Sequence, residues 1–250
     1  MRTDHAPDPP ASPSSSPHLP ATSGDPGDAD ALAALQRLYA ILDDLRASSG
    51  GMSYLRDGLP PALGARRGVY VFFEAGEYRA GSGTGPRVVR IGTHGLTAGS
   101  RSTLRSRLAN HRGSESGGNQ RTSIFRRHVG AALMAAGKVP AVPGWLQGSS
   151  APATQRAAER AVEALVSQHI GAMPFLWLPV EDAAGPDSER GLIERNAIAL
   201  LSSPAARRLD PPSPAWLGRH APATAVRASG LWNVRHVGEA WDPAFLDRLA

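Results

Sequence analysis

The chain has no cysteine among its 250 residues. That excludes disulfides and thiolate metal sites and fits a reducing compartment. Lysine is nearly absent too: of 27 Lys and Arg residues only Lys138 is lysine. Positive charge is therefore carried by arginine, whose planar fork makes bidentate hydrogen bonds to phosphate. Ala, Gly and Pro are also abundant, as a GC-rich coding sequence produces, so only local clustering of arginine is informative. No apolar run approaches the roughly 20 residues that cross a bilayer, and the N-terminus lacks the apolar core of a signal peptide. The expectation is a soluble, cytoplasmic protein with no membrane partner. The eight histidines show no metal-ligand spacing, and no internal repeat is visible.

What is present divides the chain into segments. Residues 1–28 are rich in Pro, Ser and Asp and too poor in apolar side chains to offset their ordering entropy, which predicts a disordered tail. Residues 29–65 hold a helix and a linker. Leu32, Leu35, Leu38, Tyr39, Leu42 and Leu45 recur at helical spacing before Gly50 and Gly51. That stripe is either a core-facing surface or the interface of a homodimer.

Residues 66–203 form the main unit. A strand is predicted over 69–74, a turn over 74–77 and a second strand over 88–91, ending at Gly92. The glycine-rich stretch 81–85 lacks the Lys-Ser/Thr of a phosphate loop and leads into a strand, so it reads as a flexible hairpin connection. Ser102 or Thr103 caps a helix running to His111. Leu104 and Leu108 face inward, with Arg107 and His111 four residues apart on an adjacent face. From Arg101 to His128 there are seven arginines and one acid, Glu115. Arg101, Arg105, Arg112, Arg121, Arg126 and Arg127 therefore read as a surface that tracks phosphates, with DNA as the partner.

Helices are predicted over 123–136 and 153–170, so that 113–172 forms a helical insertion, followed by a third strand over 175–180 with Pro179 at an edge or an end. A further helix follows Asp187 or Ser188. Its apolar side carries Leu192, Ile193, Ala197, Ile198 and Leu201, with Glu194 beside the stripe. A carboxylate there needs a cationic partner, an arginine or a hard metal ion. Residues 204–250 form a C-terminal extension with a strand-like piece over 229–237, in which Trp232 is a core residue and Asn233 and His236 are candidates for base or phosphate contacts.

With these pieces in order, the chain resembles the GIY-YIG nuclease superfamily. Gly68-Val69-Tyr70 matches the first signature and Arg90-Ile91-Gly92 the second. Arg107 matches the helix arginine, and Glu194, within L-I-E-R-N-A-I, the metal-binding glutamate. The resemblance implies an α+β fold: a small, three-stranded mixed sheet flanked by helices. It also implies endonuclease activity on DNA with one divalent ion, Mg²⁺ or Mn²⁺, on Glu194. Arg107 then stabilises the phosphate, and Tyr70 with His111 activates water or transfers a proton. Arg90 departs from the pattern: it stands where the family has Tyr, adding a cation and removing a phenol. Two other functions compete with the nuclease. One is a nucleic-acid-binding module that kept the fold and lost the chemistry. The other is an interaction scaffold built on the leucine-rich helix.

Overall fold

The structure, a computed structural model, describes residues 26–250. The expected disordered tail lies outside the described residues except for 26–28, which open the first helix, α1 (Pro26–Ser48). A paired glycine exit ends that helix. Gly51 N–H bonds Arg46 O at 2.9 Å, Gly50 N–H bonds Ala47 O at 3.3 Å, and Gly50 takes φ 75°. This is the left-handed cap that glycine adopts without a Cβ penalty.

Four strands follow, among helices: β1 (Ser53–Tyr54), β2 (Gly68–Tyr78), β3 (Pro86–Gly92), α2 (Leu104–Arg112), α3 (Ile124–Ala135), α4 (Ala153–Gly171), β4 (Pro174–Pro179) and α5 (Glu189–Leu201). Three short helices close the chain, α6 (Pro204–Leu209), α7 (Thr224–Ser229) and α8 (Phe245–Leu249). The α+β class stands, but the sheet has four strands, in the order β1-β4-β2-β3, and its pairings are antiparallel. The expected three-stranded mixed sheet is corrected on both points. A two-residue strand carries too little pattern to be read from sequence. Residues 74–77, expected as a turn, continue β2, which shifts register at Phe73 and again before Tyr78 instead of turning. Pro179 ends β4 opposite Gly68. Glycine is required there, because a Cβ on residue 68 would lie 2.0 Å from the Leu178 carbonyl oxygen.

β2 is buried on both faces, which is why it reads as a continuous apolar run instead of an alternating one. Val69, Val71 and Phe73 pack with Ile91 and Leu176 under α1 and α5. Tyr70 and Phe72 pack with Val89 and Phe175 under α2, α3 and α4. Leu35, Leu38, Tyr39 and Leu42 of α1 are spent inside the first layer, so that stripe is not a free dimer or scaffold surface. Residues 204–250 seal the outer edge of β3. Trp232 N–H bonds Val89 O at 2.7 Å, and the Asn233 side chain brackets Ile91, accepting from its N–H at 3.2 Å and donating to its carbonyl at 2.8 Å. No strand forms over 229–237, because a side-chain amide takes the place of a backbone ladder. The glycine-rich connection is anchored as well. The N–H groups of Ala80, Gly81 and Ser82 converge on the Asp210 carboxylate at 2.8, 3.0 and 3.1 Å.

The two helices of the insertion are joined to α2 by a buried ion pair. Arg126 is fully buried and meets Glu163 at 2.9 Å through Nε and 2.6 Å through Nη2. Its Nη1 donates to the His111 carbonyl at 2.9 Å, at the negative end of α2. Glu163 also accepts the Gln120 N–H. Removing one partner leaves an uncompensated buried charge, which costs about 3–5 kcal/mol. Arg126→Ala and Glu163→Ala are each expected to lose that much in chemical denaturation. The double variant should lose clearly less than the sum of the two. Additive losses would show that the pair is not coupled.

Candidate active site

Helix α2 is positioned by a reciprocal cap: Thr103 Oγ1 accepts from Ser106 N–H at 3.1 Å, and Ser106 Oγ accepts from Thr103 N–H at 3.0 Å. Leu104, Leu108 and His111 form its buried face. His111 therefore points into the protein with the two leucines, while Arg107 lies at the flank, half-buried. On the sheet beneath, Tyr70 stands opposite Gly92. Only glycine fits at 92, since a Cβ would lie 2.2 Å from the Tyr70 hydroxyl oxygen.

Tyr70 and His111 meet. The phenol oxygen is 2.7 Å from Nε2, and Nδ1 is 2.7 Å from Ser123 Oγ. Ser123 caps α3 by accepting the Arg126 N–H at 3.2 Å, so its own hydroxyl proton is available to Nδ1. The neutral ring thus bridges Tyr70 and Ser123, with one nitrogen donating and the other accepting. Burial, aided by the charges of Arg107, Arg90 and Arg126, holds His111 well below the ordinary histidine range, so its ring is neutral. Ser123 was legible in sequence only as a helix start.

Glu194 projects from α5, on the other layer, toward the end of β3. Its Oε1 accepts the Thr93 N–H at 3.2 Å, while Thr93 Oγ1 donates to Gly68 O at 2.7 Å. The other oxygen accepts no hydrogen bond from the described residues. Glu194 keeps a rim of solvent contact, but its carboxyl group is crowded by protein. That burial raises its pKa, against the lowering effects of Arg90, the Thr93 N–H, His236 and Arg107. The charges of Arg90 and Arg107 thus bear on both His111 and Glu194 at one end of the sheet.

The structure gathers Tyr70, Arg90, Arg107, His111 and Glu194 there. Arg90 is 4% exposed. It donates to the Trp232 carbonyl at 2.7 Å and stacks over Phe125. His236 joins from the C-terminal segment at φ 62°, held by Glu239 at 3.0 Å, which also pairs with Arg195 at 2.6 Å. Several residues expected on a DNA surface are engaged elsewhere. Arg126 is buried with Glu163, and Arg121 makes a two-pronged pair with Glu159 at 2.6 and 2.7 Å. Arg127 donates to Gln120 and to two loop carbonyls, and Asn233 holds β3. These four answer internal acids and carbonyls, which a run of arginines in the sequence does not reveal. Arg101, Arg105 and Arg112 are exposed.

Among the described residues no three His, Cys, Asp or Glu side chains gather as a metal cluster. A single desolvated carboxylate with one oxygen unpartnered by protein still fits a magnesium-type ion, which keeps most of its waters and takes one or two carboxylates plus substrate oxygens.

A family model for the GIY-YIG domain matches residues 29–250. The chain belongs to this family, whose members are generally endonucleases. No curated protein and no solved structure matches it significantly. Among the described residues, no helix is long and apolar enough to cross a membrane.

The raised pKa of Glu194 has a consequence for stability. The folded state holds this proton more tightly than the unfolded chain does, so ionising Glu194 costs stability once the pH exceeds the ordinary value of 4.5. Glu194→Gln removes that cost and can still accept from Thr93 N–H. It is expected to raise Tm at pH 7, with the gain shrinking to nothing below the ordinary carboxylate range. A Tm difference that does not change with pH would show that Glu194 is not desolvated.

Proposed function

We propose that this protein is a metal-dependent endonuclease that hydrolyses phosphodiester bonds in DNA. The observation that carries the reading is the meeting, at one sheet end, of a Tyr–His–Ser chain from one layer with a carboxylate from the other, both within reach of the Arg90 and Arg107 charges. Hydrolysis needs a base for the attacking water, positive charge against the developing negative charge on phosphorus oxygens, and a stabilised leaving oxygen. In this reading Tyr70 takes the water's proton. His111 bonds that phenol through Nε2, and Ser123 holds the imidazole in place through Nδ1. Arg107 contacts the phosphate. Glu194 would hold Mg²⁺ or Mn²⁺, which supplies charge neutralisation at the phosphate and the leaving oxygen. Arg101, Arg105 and Arg112, on and before the exposed side of α2, supply the backbone contacts that hold the duplex.

A second reading, a binding module without chemistry, is favoured by one observation. Tyr70 is fully buried with its hydroxyl satisfied, and Arg90 is turned to a backbone carbonyl, as structural residues would be. Nicking of supercoiled plasmid with Mg²⁺ or Mn²⁺ separates the two. The native chain should nick, Glu194→Ala should lose at least about 10²-fold in rate, and DNA affinity should fall steeply with salt in both. Each of Arg101→Ala, Arg105→Ala and Arg112→Ala should reduce the salt slope by about 1. Salt-sensitive binding without nicking by either protein would establish the second reading.

A further inference from the structure

Helix α4 looks charge-balanced in the sequence. Arg156 stands three residues before Glu159 and Arg160 three before Glu163, a spacing at which helical ion pairs form. The fold does not make those pairs. Glu159 takes Arg121 at 2.6 and 2.7 Å and the Gln155 amide at 3.0 Å, and Glu163 takes Arg126 at 2.9 and 2.6 Å. Both glutamates are buried. Arg156 and Arg160 are exposed, and among the described residues their guanidinium groups have no hydrogen bond or ion pair. Each glutamate thus neutralises an arginine of the 121–127 run and leaves one arginine of α4 uncompensated. The positive charge lost from that run reappears on α4, one for one.

The two arginines lie in line with the exposed arginines of α2. They line one cleft with Gly118 and Asn119, beside the buried pairs. Arg112 lines the next cleft along α4, with Ala164 and Ser167. A tight turn separates the clefts: Ser114 N–H bonds Gly117 O at 2.7 Å, and Gly117 N–H bonds Ser114 O at 3.0 Å. Positions 156, 160 and 164 are successive turns of α4, so the row from Arg156 to Arg112 spans about 12 Å, room for several phosphates of one strand at about 3.4 Å of rise each. The row ends at Arg112, the residue after His111. One exposed acid, Glu115, lies beside it. Cations spaced a helical turn apart in a line do not converge on one small anion. They match an extended polyanion, and they continue the surface of Arg105 and Arg112.

We propose that Arg156 and Arg160 form a second phosphate track, which binds the backbone of a DNA duplex beyond the cleavage site. This rests on the reading of DNA as the substrate and extends its footprint onto α4.

The test measures binding of the full chain to a DNA duplex by fluorescence anisotropy as salt is varied, in EDTA. The double variant Arg156→Ala/Arg160→Ala is expected to lower the slope of log affinity against log salt by about 2, one for each lost contact. Both changes fall at exposed, unpartnered helix positions, where alanine is well tolerated. Arg46→Ala is the comparison: Arg46 is exposed in the last turn of α1, in the other layer, and should keep the native slope. In the native chain, duplex should protect Arg156 and Arg160 from phenylglyoxal, mapped by mass spectrometry, and leave Arg46 reactive. A native slope in the double variant, with Arg105→Ala and Arg112→Ala lowering theirs, would overturn this inference alone. So would an equal loss in Arg46→Ala, which would show an effect of net charge without a track. If the native chain bound duplex without salt dependence, or not at all, the DNA reading itself would fall.

Discussion

Arg126 is the constraint on which the arrangement depends. A fully buried guanidinium must be answered from every direction, and here the answers come from separate elements: Glu163 and Ser167 on α4, and the last carbonyls of α2. Because the charge cannot be left unpaired, α2, α3 and α4 dock in one relative position. The same residue's backbone N–H is taken by Ser123, so the pair that fixes the helices also sets the hydroxyl that orients His111. An electrostatic requirement deep in the insertion thus reaches the candidate site through one covalently continuous residue.

The site lies where two packed layers meet past the end of β3. α2 brings Arg107 and His111 from one layer, α5 brings Glu194 from the other, and the short run Gly92-Thr93-His94 lies between them. Gly92 admits the phenol, and Thr93 ties Glu194 to the sheet. The local charge is lopsided. Arg90 and Arg107 face one crowded carboxylate and histidines driven neutral by burial and by those same cations. Positive charge at that end of the sheet exceeds the single carboxylate that faces it.

Much of the fold was legible because its cues are local. Periodicity marks α1, α4 and α5, the apolar run marks β2, and Thr103 and Ser123 start helices at residues that cap well. What could not be read was long-range. β1 is two residues held by pairing with β4, and the segment around Trp232 looked like a strand but fastens to β3 by one backbone bond, an amide side chain and the guanidinium groups of Arg87 and Arg90. The run of arginines read as one surface, yet Arg121 and Arg126 are answered by glutamates on α4 some 37 or 38 residues away.

By itself the sequence determined the family of the protein, because signatures such as Gly68-Val69-Tyr70 and Arg90-Ile91-Gly92 depend on close backbone approach that only glycine allows. Tertiary structure decided which arginines remain exposed and which are consumed. It also decided that His111 lies in the core against Tyr70 and that His94 is buried beside arginines from other elements. Those outcomes turn on burial and on charges brought together from distant parts of the chain, and neither is a property of any short stretch of sequence.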